Sequence, residues 1–176
     1  MNWFPSKYLS DLGEAVGKIG GAAGAPGSEQ RVLDVLNEHG CLASGNVQPA
    51  VGLDASLPWD QWPEGIRQKA GQFKLVYCSN IFHISAWAVS CGILAGAGEA
   101  LATGGVLAVY GPFKVDGGFT SEGNVRFDAS LRQRNPQWGY REVADVEAQA
   151  ATHGLSLVAR IEHSAANNFI LHFVKN

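Results

Sequence analysis

The chain has 176 residues and a formal net charge of −3; 46% of its residues are hydrophobic and only 16% are charged. This length and composition suit one domain with a sizeable core and exclude an intrinsically disordered chain. Thirteen basic residues face sixteen acidic ones without forming a basic stripe, so we expect no nucleic-acid partner.

The first third of the chain carries weak structural signals. A stretch rich in glycine and alanine, residues 13–28, predicts a flexible connection within a single domain that spans residues 1–176. Ser28 is a candidate N-cap for a helix that stops at Gly40, because its hydroxyl precedes an apolar helical periodicity. Residues 47–53 have the pattern of a short strand.

The clearest pattern is a strand, a helix and a second strand. Residues 73–78 form an apolar run typical of a buried strand, and Ser85 is a candidate N-cap for the helix that follows. Apolar side chains then recur at three-to-four-residue spacing as far as Leu101, and residues 106–110 form the next apolar run. Such a crossover implies a parallel sheet.

The same region must be tested as a membrane span, because residues 75–98 contain no charged side chain and reach spanning length. Polar residues interrupt the stretch at Ser79, Asn80 and His83. We therefore interpret it as a buried strand that runs into a buried helix and expect no membrane partner, with a membrane span as the alternative.

Past the second strand, the pattern predicts a long loop, two helices and two closing strands. The helices begin near Asn124 and near Glu142, and Asn135-Pro136 ends the first of them. The closing strands, residues 155–162 and 168–174, are joined by a short loop, so we expect them to be antiparallel. The sequence thus predicts an α/β fold in which a parallel crossover is closed by an antiparallel hairpin.

Five motifs in the second part of the chain resemble one family. In chain order they are N-I-F-H-I-S-A-W from Asn80, Y-G-P-F from Tyr110, N-V-R-F-D-A-S-L-R from Asn124, N-P-Q-W-G from Asn135 and A-A-N-N from Ala165. Together they are similar to the family called domain of unknown function 938, known in animals as methyltransferase-like 26.

This resemblance implies a class I S-adenosylmethionine-dependent methyltransferase fold. Such a fold is α/β, with a Rossmann-like, mostly parallel sheet, an antiparallel C-terminal hairpin and S-adenosylmethionine as the cofactor. Ligands of these sheets bind beyond the carboxyl ends of the strands. The residues that end the predicted strands are therefore the candidates for a site.

The sequence departs from the family pattern in the N-terminal segment that should bind the cofactor. No segment resembling E-x-x-S-G-x-G occurs in it, so we expect an N-terminally truncated form that lacks the first strand and its glycine-rich turn. The family's W-x-P-S-D pattern corresponds to Trp3-Phe4-Pro5-Ser6-Lys7, which makes Ser6 a candidate cofactor contact. Lys7 stands where an acidic residue should hold the ribose, and a lysine cannot accept hydrogen bonds.

Three residues are the candidates for cofactor binding and catalysis. Asp54 follows a predicted strand and is a candidate partner of the adenine amino group, or else an aspartate that starts a turn. Asn80 is a candidate contact to both cofactor and acceptor, because an amide donates and accepts hydrogen bonds. His83 is a candidate to orient or deprotonate an acceptor, since imidazole titrates near neutrality; alternatively it fixes the start of the next helix.

We assign the pocket for the methyl acceptor to side chains near the carboxyl ends of the predicted strands and to side chains in and after the helix that begins near Asn124. The candidates are Ser85, Tyr110, Pro112, Asn124, Asp128 and Trp138. Pro112 has a turn-shaping role as its alternative, and Trp138 a place in the core. The histidines show no paired-ligand spacing, so no metal site is expected.

The leading hypothesis is an S-adenosylmethionine-dependent methyltransferase that acts on an unknown small-molecule or protein acceptor. The alternative is a catalytically inactive truncated or degenerate form that serves as an interaction module. Three scattered cysteines without a C-x-x-C pair indicate a reduced, cytoplasmic location. Loss of a central strand would leave strand edges unpaired, which predicts oligomerisation through those edges.

Overall fold

The computed structural model describes residues 48–163 and 167–176, and the chain divides into two units, Met1–Leu53 and Asp54–Asn176. The predictions for Ser6, for the connection at residues 13–28 and for the helix after Ser28 lie outside the described residues. All helices and strands of the described residues belong to the second unit.

A four-stranded sheet forms the centre of this unit, beside a separate two-stranded sheet. The strands are β1 (Phe73–Ser79), β2 (Leu101–Gly111), β3 (Phe113–Lys114), β4 (Arg141–Glu142), β5 (Leu155–His163) and β6 (Asn168–Lys175). The larger sheet has the order β1-β2-β6-β5, in which β1 and β2 are parallel and β6 is antiparallel to both of its neighbours. Three of its four strands therefore run in one direction.

Four helices accompany these strands. They are α1 (Glu64–Arg67), α2 (Trp87–Ala100), α3 (Glu122–Arg134) and α4 (Val143–Ala151), and a 3-10 turn covers Trp59–Gln61. Helices α2 and α4 contact each other and the sheet, and the core lies between them and one sheet face. Side chains on β2 alternate between buried and half-buried from Gly105 onward, as expected of a strand with only one face covered by helices.

The predicted α/β class, the parallel crossover and the antiparallel closing hairpin are confirmed. The predicted strand at 47–53 is wrong for the described residues 48–53, none of which belongs to a strand. Pro49 lacks the N–H that a strand ladder needs, and Gly52 has a low preference for strands.

Two predicted helix boundaries also need correction. Helix α2 has Ala86 as its N-cap, and the Ser85 hydroxyl instead donates to the carbonyl oxygen of Ile81 at 2.9 Å. Helix α3 begins before Asn124, since its N-cap is Ser121, whose hydroxyl accepts from the Asn124 N–H at 3.2 Å. A side-chain hydroxyl therefore caps the start of α3, whereas no side chain caps the start of α2.

The uncharged stretch tested as a membrane span forms β1 and α2. Helix α2 has 14 residues, which corresponds to a length of about 21 Å, against a bilayer core of about 30 Å. Within the part of the chain that the structure describes, no helix is both long enough and apolar enough to cross a membrane.

Residues 54–67 are fixed on α2 through glycines of that helix. A Cβ atom added to Gly92 would overlap the carbonyl oxygen of Ala55, and one added to Gly96 would fall on the indole ring of Trp62. The indole is buried, and its N–H donates to the Leu57 carbonyl oxygen at 3.1 Å. Both glycines are therefore required by close packing.

We predict that Gly92→Ala destabilises the protein by about 1–3 kcal/mol, because the Ala55 backbone must move to admit a methyl group. The matched control is Gly65→Ala in α1, where an added Cβ meets nothing within 4 Å. Urea unfolding of both variants measures the difference. An unchanged midpoint for Gly92→Ala would show that this segment does not pack against α2.

Candidate functional site

The carboxyl ends of β1 and β2 meet at one edge of the sheet, where Ser79 lies opposite Tyr110. The next residue, Asn80, has a left-handed backbone with φ of 57°, and its N–H donates to the Tyr110 carbonyl oxygen at 2.8 Å. A non-glycine residue in this region is uncommon, although asparagine tolerates it better than most residue types. The backbone thus turns away from the sheet at Asn80, whose side chain is exposed.

Gly111, the last residue of β2, lies close to Asn80 and His83 at this edge. A Cβ atom built on Gly111 would lie 3.7 Å from Asn80 Oδ1 and 3.8 Å from His83 Nδ1, which are ordinary van der Waals distances. The two side chains that sequence reasoning named as catalytic candidates therefore converge on one point beside Gly111. We call this point, with Asn80, His83 and Gly111 around it, the rim site.

His83 is buried, with 6% of its surface exposed, and its Nδ1 has no hydrogen-bond partner among the described residues. Burial lowers the pKa of the imidazole, and the nearby Arg141 guanidinium lowers it further. The ring is therefore neutral near pH 7 and offers one donor and one acceptor nitrogen. Its neighbours are aromatic: the ring centroids of Phe127 and Tyr140 lie 5.9 and 6.0 Å away.

Arg141 is a positioning residue of this candidate site that sequence reasoning missed. Its Nε donates to the Phe82 carbonyl oxygen at 3.0 Å, and its Nη2 donates to those of Ser85 and Gln137. One side chain thus fixes the loop after β1 to the turn before β4. No local pattern marks Arg141, because its partners at Phe82 and Ser85 are 59 and 56 residues away in the sequence.

Asp128 supports this arrangement from inside α3. Its carboxylate is buried and accepts from the Tyr140 N–H at 2.6 Å and from Arg132 Nε at 2.8 Å. Burial, and secondarily the Asp128 charge, raises the pKa of Tyr140 to about 12. Both carboxylate oxygens are therefore engaged by protein groups, and Asp128 positions Tyr140 beside His83.

The other pocket candidates lie around the same edge. The Asn124 side chain donates to Thr120 Oγ1 at 2.8 Å and to the Asn167 carbonyl oxygen at 3.2 Å, which ties α3 to the β5–β6 turn. The ring of Tyr110 contacts His163, with centroids 6.4 Å apart. Pro112 is buried between β2 and β3.

Trp138 is half-buried in the turn that precedes Arg141. The next residue, Gly139, donates its N–H to the His83 carbonyl oxygen at 2.9 Å. The main chain of His83 is therefore tied to the turn before β4, and both interpretations of its ring stay predictions.

Asp54 is engaged locally. Its Oδ1 accepts from the Ser56 hydroxyl at 2.6 Å and from the Ser56 N–H at 2.9 Å, and these hydrogen bonds lower the pKa of the Asp54 carboxyl. Among the described residues, no hydrogen bond joins Asp54 to Asn80, His83 or Tyr110. The geometry around Asp54 matches the turn-forming alternative, and a role in adenine binding stays a prediction.

A groove of about 640 Å³ opens beside the loop that Arg141 fixes. Residues that line it include Trp87, Lys114, Tyr140, Arg141, Glu142 and Asp145.

The structure offers no sign of a reactive thiol at Cys78 or of a metal site among the described residues. Burial raises the pKa of the Cys78 thiol to about 11, which leaves this thiol inert. Across residues 48–163 and 167–176, no group of three or more metal-ligating side chains is found.

Several solved structures resemble this chain, and methyltransferases are among them. The mitomycin 7-O-methyltransferase MmcR has a TM-score of 0.62 at 13% identity, over 86% of this chain and 40% of its own. A putative O-methyltransferase from Nostoc punctiforme gives 0.62 at 15% identity, over 85% and 42%. OxaC, solved with sinefungin and meleagrin, gives 0.57 at 16% identity, over 81% and 34%. The chain spans about two fifths of the length of such structures, and the likeness establishes the fold as that of a Rossmann-like methyltransferase domain.

The amino-acid sequence also matches the model of one protein family. The profile described as Protein of unknown function (DUF938) matches residues 27–175. The chain belongs to this family.

We predict that Asp128→Ala costs about 2–3 kcal/mol of stability, because it leaves the buried Tyr140 N–H and Arg132 without their acceptor. The control is Glu122→Ala, which removes an exposed ion pair to Arg126 at 3.7 Å and should cost less than about 1 kcal/mol. Thermal and urea unfolding compare the two. Equal losses would show that the Asp128 carboxylate is not a structural acceptor.

The lowered pKa of His83 predicts a dependence of stability on pH. The folded pKa lies below the ordinary value of 6.5, so the unfolded chain binds the proton more readily. The stability contribution of the neutral ring is present above that ordinary value and is lost as the pH falls through the folded pKa. His83→Gln should show a smaller loss of stability on acidification than the natural chain.

Proton NMR of the natural chain checks the same shift directly. We expect the His83 ring resonances to titrate with a midpoint below 6.5, the ordinary value for histidine. A midpoint at or above that value would contradict the assigned burial.

Proposed function

We propose that this chain is an S-adenosylmethionine-dependent methyltransferase domain of the methyltransferase-like 26 type. Its acceptor would be a small molecule or a protein. The family and the fold support this, and one observation of the site carries it: Asn80 Oδ1 and His83 Nδ1 both lie close to Gly111, at the carboxyl ends of the parallel strands β1 and β2. The two described cysteines, Cys78 and Cys91, are free thiols, which suits a cytoplasmic location that belongs to the same proposal.

The rim site fits the methyl-bearing end of the cofactor. The exposed Asn80 amide can donate to or accept from a polar group, and Gly111 provides space without a side chain. The ribose end is less well provided, because Asp54 already accepts two hydrogen bonds from Ser56 and Ser6 lies outside the described residues. Asn80, His83 and Gly111 are therefore the residues to which we assign cofactor and acceptor contacts.

S-adenosylmethionine supplies a methyl group on a positively charged sulfur. The protein's own contribution is to align an acceptor and to manage its proton, which can supply much of the rate. A neutral His83 ring can accept the proton of an acceptor hydroxyl at a ring nitrogen, because its lowered pKa keeps it unprotonated at pH 7. Phe127 and Tyr140 shield that ring, and Arg141 fixes the loop that carries it.

A non-enzymatic interaction module is the second candidate. The observation in its favour is the absence of an E-x-x-S-G-x-G-like segment from residues 1–176. In this alternative the rim site would remain as a feature of the fold without binding the cofactor.

Calorimetry with S-adenosylmethionine and the Gly111→Ala variant tests the proposal. We expect the natural chain to bind the cofactor. Gly111→Ala should weaken the affinity roughly tenfold or more, since a 1.4 kcal/mol loss suffices for that. The added methyl group would lie at 3.7–3.9 Å from its neighbours, so the fold and its melting temperature should be retained.

Gly65→Ala, which lies in open space, is the matched control and should bind as the natural chain does. A folded natural chain that gives no binding heat at saturating cofactor would favour the interaction module. Binding that is equally strong in Gly111→Ala would remove the rim site from the proposal.

A further inference from the structure

The groove of about 640 Å³ that Arg141 lines contains a second arginine, Arg132. Arg132 comes from α3 and Arg141 from β4, so two separate elements bring their guanidinium groups to one groove. Small-molecule sites in proteins have volumes of about 300–1,000 Å³, and the groove falls in this range. The proposed methyl transfer uses Arg141 only to fix a loop and does not use Arg132.

Arg132 is held in position by two contacts. Its Nε donates to Oδ2 of the buried Asp128 at 2.8 Å. Its guanidinium lies directly against Gly139, where an added Cβ atom would be 2.6 Å from both Cζ and Nη2 of the arginine. The ion pair engages Nε, which leaves the two terminal nitrogens and their N–H donors for another acceptor.

Arg141 is held by neutral groups. Its Nε and Nη2 donate to the carbonyl oxygens of Phe82, Ser85 and Gln137. Its guanidinium carbon lies 5.7 Å from the centroid of the Trp87 ring, which also lines the groove. Carbonyl oxygens and an indole ring fix the guanidinium without cancelling its charge, and its Nη1 donors are outside this set of hydrogen bonds.

The two guanidinium groups act on each other. Burial lowers the pKa of Arg141, and the charge of Arg132 lowers it further, whereas the charge of Asp128 raises it. Both arginines stay protonated at neutral pH. Two like charges held near each other in a partly buried position are unfavourable, and an anion bound by both would offset that cost.

Other side chains of the groove indicate the shape of a ligand. Lys114 adds a third cation, and its Nζ lies above the Phe119 ring at 5.8 Å from the centroid. Trp87 and Tyr140 contribute aromatic surface to the groove wall. Cations beside aromatic rings suit a ligand that has an anionic end and an aromatic or apolar body.

Two carboxylates also line the groove. Glu142 Oε2 accepts from the Gly117 N–H at 3.1 Å, which directs this carboxylate towards the turn after β3. Asp145 is exposed in the first turn of α4. Asp145 should therefore weaken the binding of an anion, and its removal should strengthen it.

We propose that this groove binds a small organic anion, either a carboxylate or a phosphate monoester, through the terminal guanidinium nitrogens of Arg132 and Arg141. The guanidinium fork matches the oxygen atoms of both anions in paired hydrogen bonds. The body of the ligand lies against Trp87 and Tyr140. Binding requires no cofactor, so the test is independent of the proposed methyl transfer.

NMR titration of the natural chain with three probes tests the site. Benzoate and phenyl phosphate carry the two candidate anions on the same ring, and benzamide is the neutral control. We expect saturable amide shifts around the groove and a dissociation constant of roughly 0.1–5 mM for at least one anion. Benzamide should bind at least roughly tenfold more weakly, because it lacks the charge that strengthens hydrogen bonds to arginine. The tighter of the two anions identifies the group that the groove prefers.

Three variants test the assigned residues. Arg132→Gln should weaken anion binding roughly tenfold, because it removes hydrogen bonds to a charged group. The matched control is Arg126→Gln in the same helix, which also breaks an ion pair to an acidic residue four positions earlier, Glu122, and should bind as the natural chain does. Asp145→Asn should tighten anion binding at least roughly twofold, a gain that misfolding cannot produce.

The proposal fails if a folded natural chain shows no saturable shifts with either anion, or if benzamide binds as tightly as the anions. Equal losses in Arg126→Gln and Arg132→Gln would remove Arg132 from the site. Circular dichroism melts show which variants are folded. If Arg132→Gln does not fold, Asp145→Asn decides, and an affinity no higher than that of the natural chain would overturn the proposal.

Discussion

The site depends on the parallel pairing of β1 with β2 and on the hydrogen bond that ends it. The Asn80 N–H donates to the Tyr110 carbonyl oxygen, and the chain then leaves the sheet through a left-handed residue. Without that turn, the loop that follows β1 would continue along the strand, and His83 would not lie beside Gly111. The strand register, the turn at Asn80 and the loop that follows it therefore act together. They bring the side chains of Asn80 and His83 close to Gly111.

The rim site contains two energetically unfavourable features, the left-handed backbone of Asn80 and the buried Nδ1 of His83, and neighbouring side chains hold them in place. A left-handed backbone costs most residue types other than glycine about 1–2 kcal/mol, and a buried nitrogen such as His83 Nδ1, which has no hydrogen-bond partner among the described residues, costs about 1–3 kcal/mol. Arg141 binds the loop through three carbonyl oxygens, while Asp128 fixes Tyr140 next to the histidine. Strain and unsatisfied polarity that are kept in place by a rigid scaffold are typical of functional sites.

The sequence predicted those parts of the fold that rest on local periodicity. The β1–α2–β2 crossover and the β5–β6 hairpin follow from apolar runs and short connections, and the structure has both. Asn80, His83 and Tyr110 were candidates because each lies at or after the end of a predicted strand. Proximity to a strand end is a local property, which explains why the sequence could name these residues as candidates.

Contacts between distant segments were not predictable in this way. Arg141 reaches partners almost sixty residues away, and the acceptor role of Asp128 for Tyr140 depends on how α3 packs. Ser85 was expected to cap α2, but its hydroxyl had a competing acceptor at Ile81. The approach of Asn80 and His83 to Gly111 is likewise a tertiary feature, since it depends on how the loop after β1 packs against the end of β2.

The most direct test of the rim site is residue-resolved NMR during titration with S-adenosylhomocysteine. Binding at this site predicts that the largest amide shifts occur at Asn80, His83 and Gly111, in the slow or intermediate exchange of a specific complex. Shifts confined to the groove beside Trp87 and Asp145, or no shifts at saturating ligand, would contradict the assignment of these three residues to the cofactor and its acceptor.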